Sequence, residues 1–313
     1  MIVKHSHQEI TDENYVPDLI FITGQCGSGK STLSRMLSTK CGFLTFHTGS
    51  VYQHHFGATV AGTDNPDAPK DADPIIKQAL FDFIEREKHN LPIVIETAPR
   101  SFDSVRWLEE LARLGYKSLV IMMKADPEIR HERVKNRDLL NSGRAEMDKD
   151  KIGGEKKFWY ENMFELLSSR CIPRPEIWNV PATVADMDQC VDWLEAKSCL
   201  SRSEKMYNSA LNVWHERDAY QNHRPNFRRM LERMTNELDE TKTAEHPDHQ
   251  FEELMDVLHF MFCAAKALGI DSGDVFEKAF KKKTHVNQMR LHYGTKELPS
   301  EIINGAYWKN ENY

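Results

Sequence analysis

Through the first two-thirds of the chain, apolar residues cluster in short continuous runs, separated by stretches where they recur every three or four positions. The runs Leu19–Thr23, Leu44–His47, Ile93–Glu96, Ser118–Lys124 and Ile177–Val180 predict strands buried on both faces. Helical spacing over Ser31–Ser38, Ile75–Glu87, Ser104–Leu114, Pro127–Arg137 and Met187–Ala196 places a helix after each strand. That alternation predicts an α/β domain, a parallel sheet flanked by helices. Beyond about Ser201 the strand pattern ends, and Tyr207–Trp214, Phe227–Glu240, Phe251–Leu268 and Val275–Arg290 all read as helices. The expected organisation is an α/β domain over residues 1–198 and an all-α helical domain over residues 199–313, with the boundary near Cys199–Ser203.

Between the first strand and the first helix stands Gly24-Gln25-Cys26-Gly27-Ser28-Gly29-Lys30-Ser31-Thr32, which meets every requirement of the GxxxxGK[ST] phosphate-binding loop. Glycines let the backbone curl around phosphate oxygens, and successive N–H groups form an anion nest closed by a helix N-terminus. In that arrangement Lys30 reaches the β- and γ-phosphates of ATP, and the Ser31 hydroxyl ligates Mg²⁺. Strand before and helix after make a chance glycine-rich turn a poor explanation. The motif predicts a P-loop kinase.

Past the loop, the order of motifs resembles adenylate- and thymidylate-type nucleotide kinases. Thr48-Gly49-Ser50-Val51-Tyr52-Gln53 lies where those kinases carry TGxxxR, and Ile95-Glu96-Thr97-Ala98-Pro99-Arg100 where they carry DGFPR. Arg133-Val134-Lys135-Asn136-Arg137, followed by Arg144, resembles the start of their arginine-bearing lid. The resemblance implies that Arg100 holds the acceptor, that Glu96 binds the water shell of Mg²⁺, and that Arg133, Arg137 and Arg144 close on the migrating phosphoryl group. Charge spread over that group must in any case be met by cations in a dry site. The alternative for Arg133 and Arg137 is a solvated helix face shared with Glu128 and Glu132.

Gln53 departs from the kinase pattern. A neutral amide cannot form the charge-assisted fork that an arginine offers a phosphate monoester. A hydroxyl acceptor fits this change better than a nucleoside monophosphate, and a hydroxyl calls for a general base. His47, Glu96 and Asp103 are the candidates; the alternative for His47 is an ordinary histidine at a strand end. The acidic stretch Thr63–Pro74 reads as a loop on the acceptor side.

The helical part carries Glu237-x-x-Glu240 and Glu253-x-x-Asp256, two acidic pairs each on one helix face. Four facing carboxylates suit Mg²⁺ bound to a triphosphate. Leu254, Val257, Leu258, Met261 and Phe262 supply the expected buried stripe. Lys283, Asn287 and Arg290 could present a cationic, amide-bearing face to phosphate and base. With EELMDVLHF and KKKTHVNQMRLHYG, this part resembles the all-α NTP pyrophosphohydrolases of the MazG and dimeric dUTPase group. The resemblance implies metal ligation by Glu237, Glu240, Glu253 and Asp256, and a homodimer through the helical domain. Asn236 stands where that group usually has the first of two leading glutamates; acidic helix surface and a binding-only domain are the alternatives.

Taken whole, the chain resembles phage P-loop kinases of thymine hypermodification, which phosphorylate 5-hydroxymethyluracil in viral DNA. That resemblance implies ATP and Mg²⁺ as cofactors and modified phage DNA as partner. The rival reading is a pyrimidine deoxynucleoside-monophosphate kinase fused to a dUTPase-like pyrophosphohydrolase, acting on free nucleotides. A third, an NTP-sensing regulator, is weakened because Asn136-Arg137-Asp138 is not the NKxD of switch GTPases.

Composition changes this picture little. With 40% hydrophobic and 28% charged residues the chain is expected to be soluble and globular. No apolar run approaches the roughly 20 residues of a membrane span, and MIVKHSHQEITDEN lacks the apolar core of a signal peptide. Six cysteines with no CxxC pair suggest neither zinc nor disulfides, so a reducing cytoplasm is expected. A net charge of −7 gives no general attraction to nucleic acid or anionic membrane, and any DNA contact needs a local basic patch.

Overall fold

The computed structural model describes residues 3–4, 16–25, 27–51, 72–97, 103–140, 175–218 and 226–293. It divides into two compact units, Met1–Leu200 with Asn208–Arg224, and Ser201–Tyr207 with Pro225–Tyr313. The pattern predicts a single cut at 198/199; the structure instead groups Asn208–Arg224 with the sheet-bearing unit. Within that segment Asn208, Ala210, Leu211 and Asn212 are buried.

Among the described residues of the first unit the strands are β1 (Val3–Lys4), β2 (Leu19–Gly24), β3 (Leu44–His47), β4 (Ile93–Glu96), β5 (Ser118–Lys124) and β6 (Glu176–Pro181). They form one sheet in the order β1-β6-β5-β2-β4-β3. Five are mutually parallel, and β1 pairs antiparallel with β6. A strand as short as β1 carries too few residues for an apolar pattern, so the sequence did not predict it. Every residue of β2 is buried, as expected of a central parallel strand covered on both faces.

Helices α1 (Lys30–Met36), α2 (Ala72–Glu87), α3 (Asp103–Arg113), α4 (Pro127–Leu140) and α5 (Val184–Lys197) follow strands β2 to β6. The core on one side joins Ile20, Ile22, Leu33, Leu37, Val94, Ile121, Trp178, Val191 and Leu194. Helix α1 runs into one π-helical turn, Leu37–Cys41, that stops at Gly42 (φ 69°). From β2 the chain runs outward to β3, returns to β4 beside β2, and then crosses to β5 on the other side. This reversal puts the topological switch point at the C-terminal end of β2, where open parallel sheets bind ligands.

Helix α6 (Arg202–Asp218) contributes Asn208 onward to the first unit and its opening turns to the second. The second unit further contains α7 (Phe227–Thr243), α8 (Pro247–Ala267) and α9 (Gly273–Tyr293). Asn226 caps α7, its side chain accepting from Arg229 N at 3.0 Å, and Pro247 opens α8. Helices α7 and α8, joined by residues 244–246, pack along each other. Tyr207, Phe262 and Phe276 form its aromatic centre, with ring centroids 4.8–6.4 Å apart. The Glu204 carboxylate caps α9, accepting from Gly273 N at 2.9 Å and Asp274 N at 3.1 Å. Phe262 is buried, but Leu254 is 44% exposed, because it shares its side of α8 with the exposed Phe251 and Met255.

Candidate active site

The phosphate loop begins where β2 ends. A Cβ on Gly24 would come within 2.6 Å of Ser28 Oγ and 2.8 Å of the Met123 carbonyl oxygen, so β5 leaves no room for a side chain there. Gly27, at φ 76°, meets the backbone of α4 equally closely, a Cβ falling 2.6 Å from the Arg130 carbonyl oxygen. Lys30 is the first residue of α1, and its ammonium donates to the carbonyls of Gly24 (2.9 Å) and Gln25 (3.0 Å). The cation thus lies across the mouth of the loop, where phosphate oxygens would compete for it.

The loop meets its neighbours at Glu96. Ladder pairing sets Glu96 beside Ile22 of β2 on one side and His47 of β3 on the other. Ser31 Oγ donates to Glu96 Oε1 at 2.6 Å, and His47 Nδ1 lies 2.8 Å from Oε2. The side chains of His47 and Glu96 are each 14% exposed. Thr48 Oγ1 donates to the Glu96 carbonyl at 3.1 Å, fixing the strand end. Burial pushes the Glu96 carboxyl up, but hydrogen bonds from His47 and Ser31 and the charges of His47 and Lys30 together outweigh it, leaving Glu96 below the usual carboxylate range. An ionised carboxylate only accepts, so His47 Nδ1 is the donor in this pair.

Arg133 on α4 reaches the loop from the other side, donating to the Gly27 carbonyl (3.4 Å) and to the Ala182 carbonyl beyond β6 (3.2 Å). It is therefore no part of a purely solvated charge face. Arg137 lies on α4 with its side chain outside the described residues, as does that of Asp103 on α3; Cys26, Gln53, Arg100, Arg144 and most of Thr63–Pro74 also lie outside them. Ser31 and Glu96 offer the hard oxygen donors that suit a hydrated Mg²⁺ ion. The contact of His47 with Glu96 follows from strand order, which no local motif announces, whereas Arg133 is singled out in the sequence by the lid-like Arg133–Arg137 run.

In the second unit, ligand atoms of Glu237, Glu240 and Glu253 all lie within 4.8 Å of one another. Asp256 is outside that tight group, 3.4 Å from His259 Nδ1, although its charge still reaches Glu237. His249 Nε2 also lies 2.8 Å from Glu253 Oε1. Burial, a hydrogen bond shared with Glu253, and the charges of Glu240, Asp256 and Glu253 all push the Glu237 carboxyl up. Crowded carboxylates of this kind are relieved by a divalent cation or a shared proton.

A family model described as an AAA domain matches residues 20–152, inside the sheet-bearing unit. "Putative adenylate kinase" of Sulfurisphaera tokodaii is 26% identical over 199 residues, spanning 61% of this chain and 95% of that protein. Among solved structures, shikimate kinase from Acinetobacter baumannii in complex with shikimate covers 57% of this chain and 90% of its own, at 15% identity and a TM-score of 0.39. A gluconokinase from Sinorhizobium meliloti 1021 covers 58% and 91%, at 16% identity and a TM-score of 0.34. Strand order and the glycine-rich loop are those of the P-loop kinase fold, and the sequence similarities fall on that part of the chain. Phosphoryl transfer is the reaction of that class.

Proposed function

We propose that the chain is an ATP- and Mg²⁺-dependent kinase that phosphorylates a hydroxyl group, the hydroxymethyl of 5-hydroxymethyluracil in DNA. The observation that carries the reading is the Ser31–Glu96–His47 chain of hydrogen bonds at the head of the sheet. Bound Mg²⁺ would supply charge neutralisation on the triphosphate, held through Ser31 and Glu96. Lys30 meets the β- and γ-phosphates, and Arg100, Arg133 and Arg137 meet the charge on the moving group. Glu96 holds His47 in the tautomer whose Nε2 is basic. That nitrogen takes the proton of the acceptor hydroxyl while the oxygen bonds to the γ-phosphorus and ADP departs. A phosphate-monoester acceptor has no such proton-transfer need, and Gln53 stands where its arginine clamp would be. The test is labelled-ATP transfer to DNA containing 5-hydroxymethyluracil, followed by digestion to nucleosides: label is expected on the hydroxymethyl group, and label confined to free nucleotides contradicts the reading.

The second reading, a pyrimidine deoxynucleoside-monophosphate kinase fused to a dUTPase-like pyrophosphohydrolase, is favoured by the relationship to "Putative adenylate kinase" and by the carboxylate cluster of α7 and α8. In either reading Glu237, Glu240 and Glu253 hold Mg²⁺ for a pyrimidine deoxynucleoside triphosphate, with Asp256 at the margin. Glu253→Gln keeps the shape and removes one charge from the group. In full-length protein carrying Lys30→Ala to weaken the kinase site, it is expected to weaken Mg²⁺-dependent binding of a non-hydrolysable dUTP analogue by at least about tenfold. Calorimetric titration checks this, and unchanged binding would remove Glu253 from the ligand set.

A further inference from the structure

We infer that Asn212 is a positioning residue whose side-chain amide acts as a strand neighbour along the outer edge of β3 and so holds His47 against Glu96. The inference deepens the kinase reading and rests on it only for its consequence in catalysis. Among the described residues β3 ends the sheet, leaving one row of backbone groups without a strand partner. In a parallel ladder, one residue's N–H bonds a carbonyl on the next strand, and the same residue's C=O accepts from the N–H two residues further on. Asn212 reproduces that pattern. Its Nδ2 donates to the Phe43 carbonyl at 2.8 Å, and its Oδ1 accepts from Thr45 N at 2.8 Å.

The rest of the amide is also used. Oδ1 accepts from Thr45 Oγ1 at 3.2 Å, and Nδ2 donates to Ser38 Oγ at 2.8 Å. Two donors and two acceptors exhaust what an asparagine side chain offers. Ser209 Oγ adds a bond to the Ser38 carbonyl at 3.3 Å. Asn212 is 4% exposed, so water cannot readily replace these bonds when the amide is removed. Ser38 belongs to the π turn that ends α1, and Thr45 lies two residues before His47 on the same strand. The amide therefore ties the far end of the phosphate-loop helix to the strand whose last residue pairs with Glu96.

The experiment compares full-length wild type, Asn212→Ala and Asn212→Asp by imidazole ¹⁵N spectra, with His47→Gln to assign the His47 signal, and by amide exchange. In Asn212→Ala the Thr45 amide is expected to exchange about tenfold faster or more. The His47 Nδ1 signal should move away from its hydrogen-bonded position. Mg²⁺-ATP affinity should stay within about twofold, since the loop itself is untouched. Transfer to hydroxymethyluracil DNA should fall in kcat with little change in KM for ATP. Asn212→Asp keeps an acceptor for Thr45 N but sets an oxygen against the Phe43 carbonyl, so it should disturb His47 as well and serves if the alanine variant does not fold. Unchanged Thr45 exchange and His47 signal in either folded variant overturns the inference. Loss of folding in both variants also overturns it, by making Asn212 a residue of general stability. If the wild type transfers nothing to that DNA while His47 still shifts in the variants, the positioning role stands and the acceptor reading falls.

Discussion

Lys30→Ala is expected to lower phosphoryl transfer by about two to three orders of magnitude while the protein stays folded. The Lys30 ammonium bonds the loop carbonyls of Gly24 and Gln25, so its loss opens no cavity in the apolar core. Its absence is felt where charge develops on the transferred group. Steady-state transfer, measured beside a thermal melt and circular dichroism, checks the prediction. Retention of more than about a tenth of the wild-type rate in a folded variant would contradict the assignment of the loop as the catalytic phosphate site.

Glu96→Gln should be nearly as severe, lowering kcat by about two orders of magnitude and raising the Mg²⁺ concentration needed. Both Ser31 and His47 donate to Glu96, and a glutamine offers them one acceptor and one donor in place of two acceptors. One of the two contacts must break or His47 must change tautomer. A pH signature accompanies the kinetic one. Since the folded protein holds Glu96 below the usual carboxylate range, the stability it contributes is fully present above the unfolded-state carboxylate value. That contribution is lost as pH falls through the lower folded value. The stability gap between wild type and variant should therefore be constant near neutrality and narrow in that acid window, as denaturant melts over a pH series would show. A gap that does not change with pH would mean that Glu96 is not held ionised by its neighbours.

How much of this was legible beforehand depends on how local each signal is. The loop from Gly24 to Thr32 could be read because its chemistry depends on nearest neighbours in sequence. The parallel strands were equally plain: burial on both faces turns β2 and β5 into unbroken apolar runs. The pairing of His47 with Glu96 was not, because it exists only once β3 and β4 lie side by side with His47 and Glu96 in register. Sequence reasoning offered each as a separate candidate base, whereas the fold makes them one unit. Asn212 escaped entirely, since a lone asparagine in a helical pattern reads as solvent-facing until the strand edge beside it is known. Leu254 was expected in the buried stripe on spacing, yet α8 meets α7 along another line and leaves it exposed. The acidic residues behaved more simply: two i,i+3 pairs on paired helices brought Glu237, Glu240 and Glu253 together, with Asp256 displaced outward.

The central claim is that the acceptor is a hydroxyl deprotonated at His47 rather than a phosphate monoester held by arginines. The most direct measurement is kcat/KM of the full-length protein for DNA bearing 5-hydroxymethyluracil, set against dUMP, dTMP and hydroxymethyl-dUMP at saturating Mg²⁺-ATP. The account predicts a preference for the modified DNA of at least about a hundredfold, a factor that follows if monophosphates lack their charge-assisted clamp. Efficient phosphorylation of any of the three monophosphates, with no label entering the modified DNA, would contradict it and establish a nucleotide kinase instead.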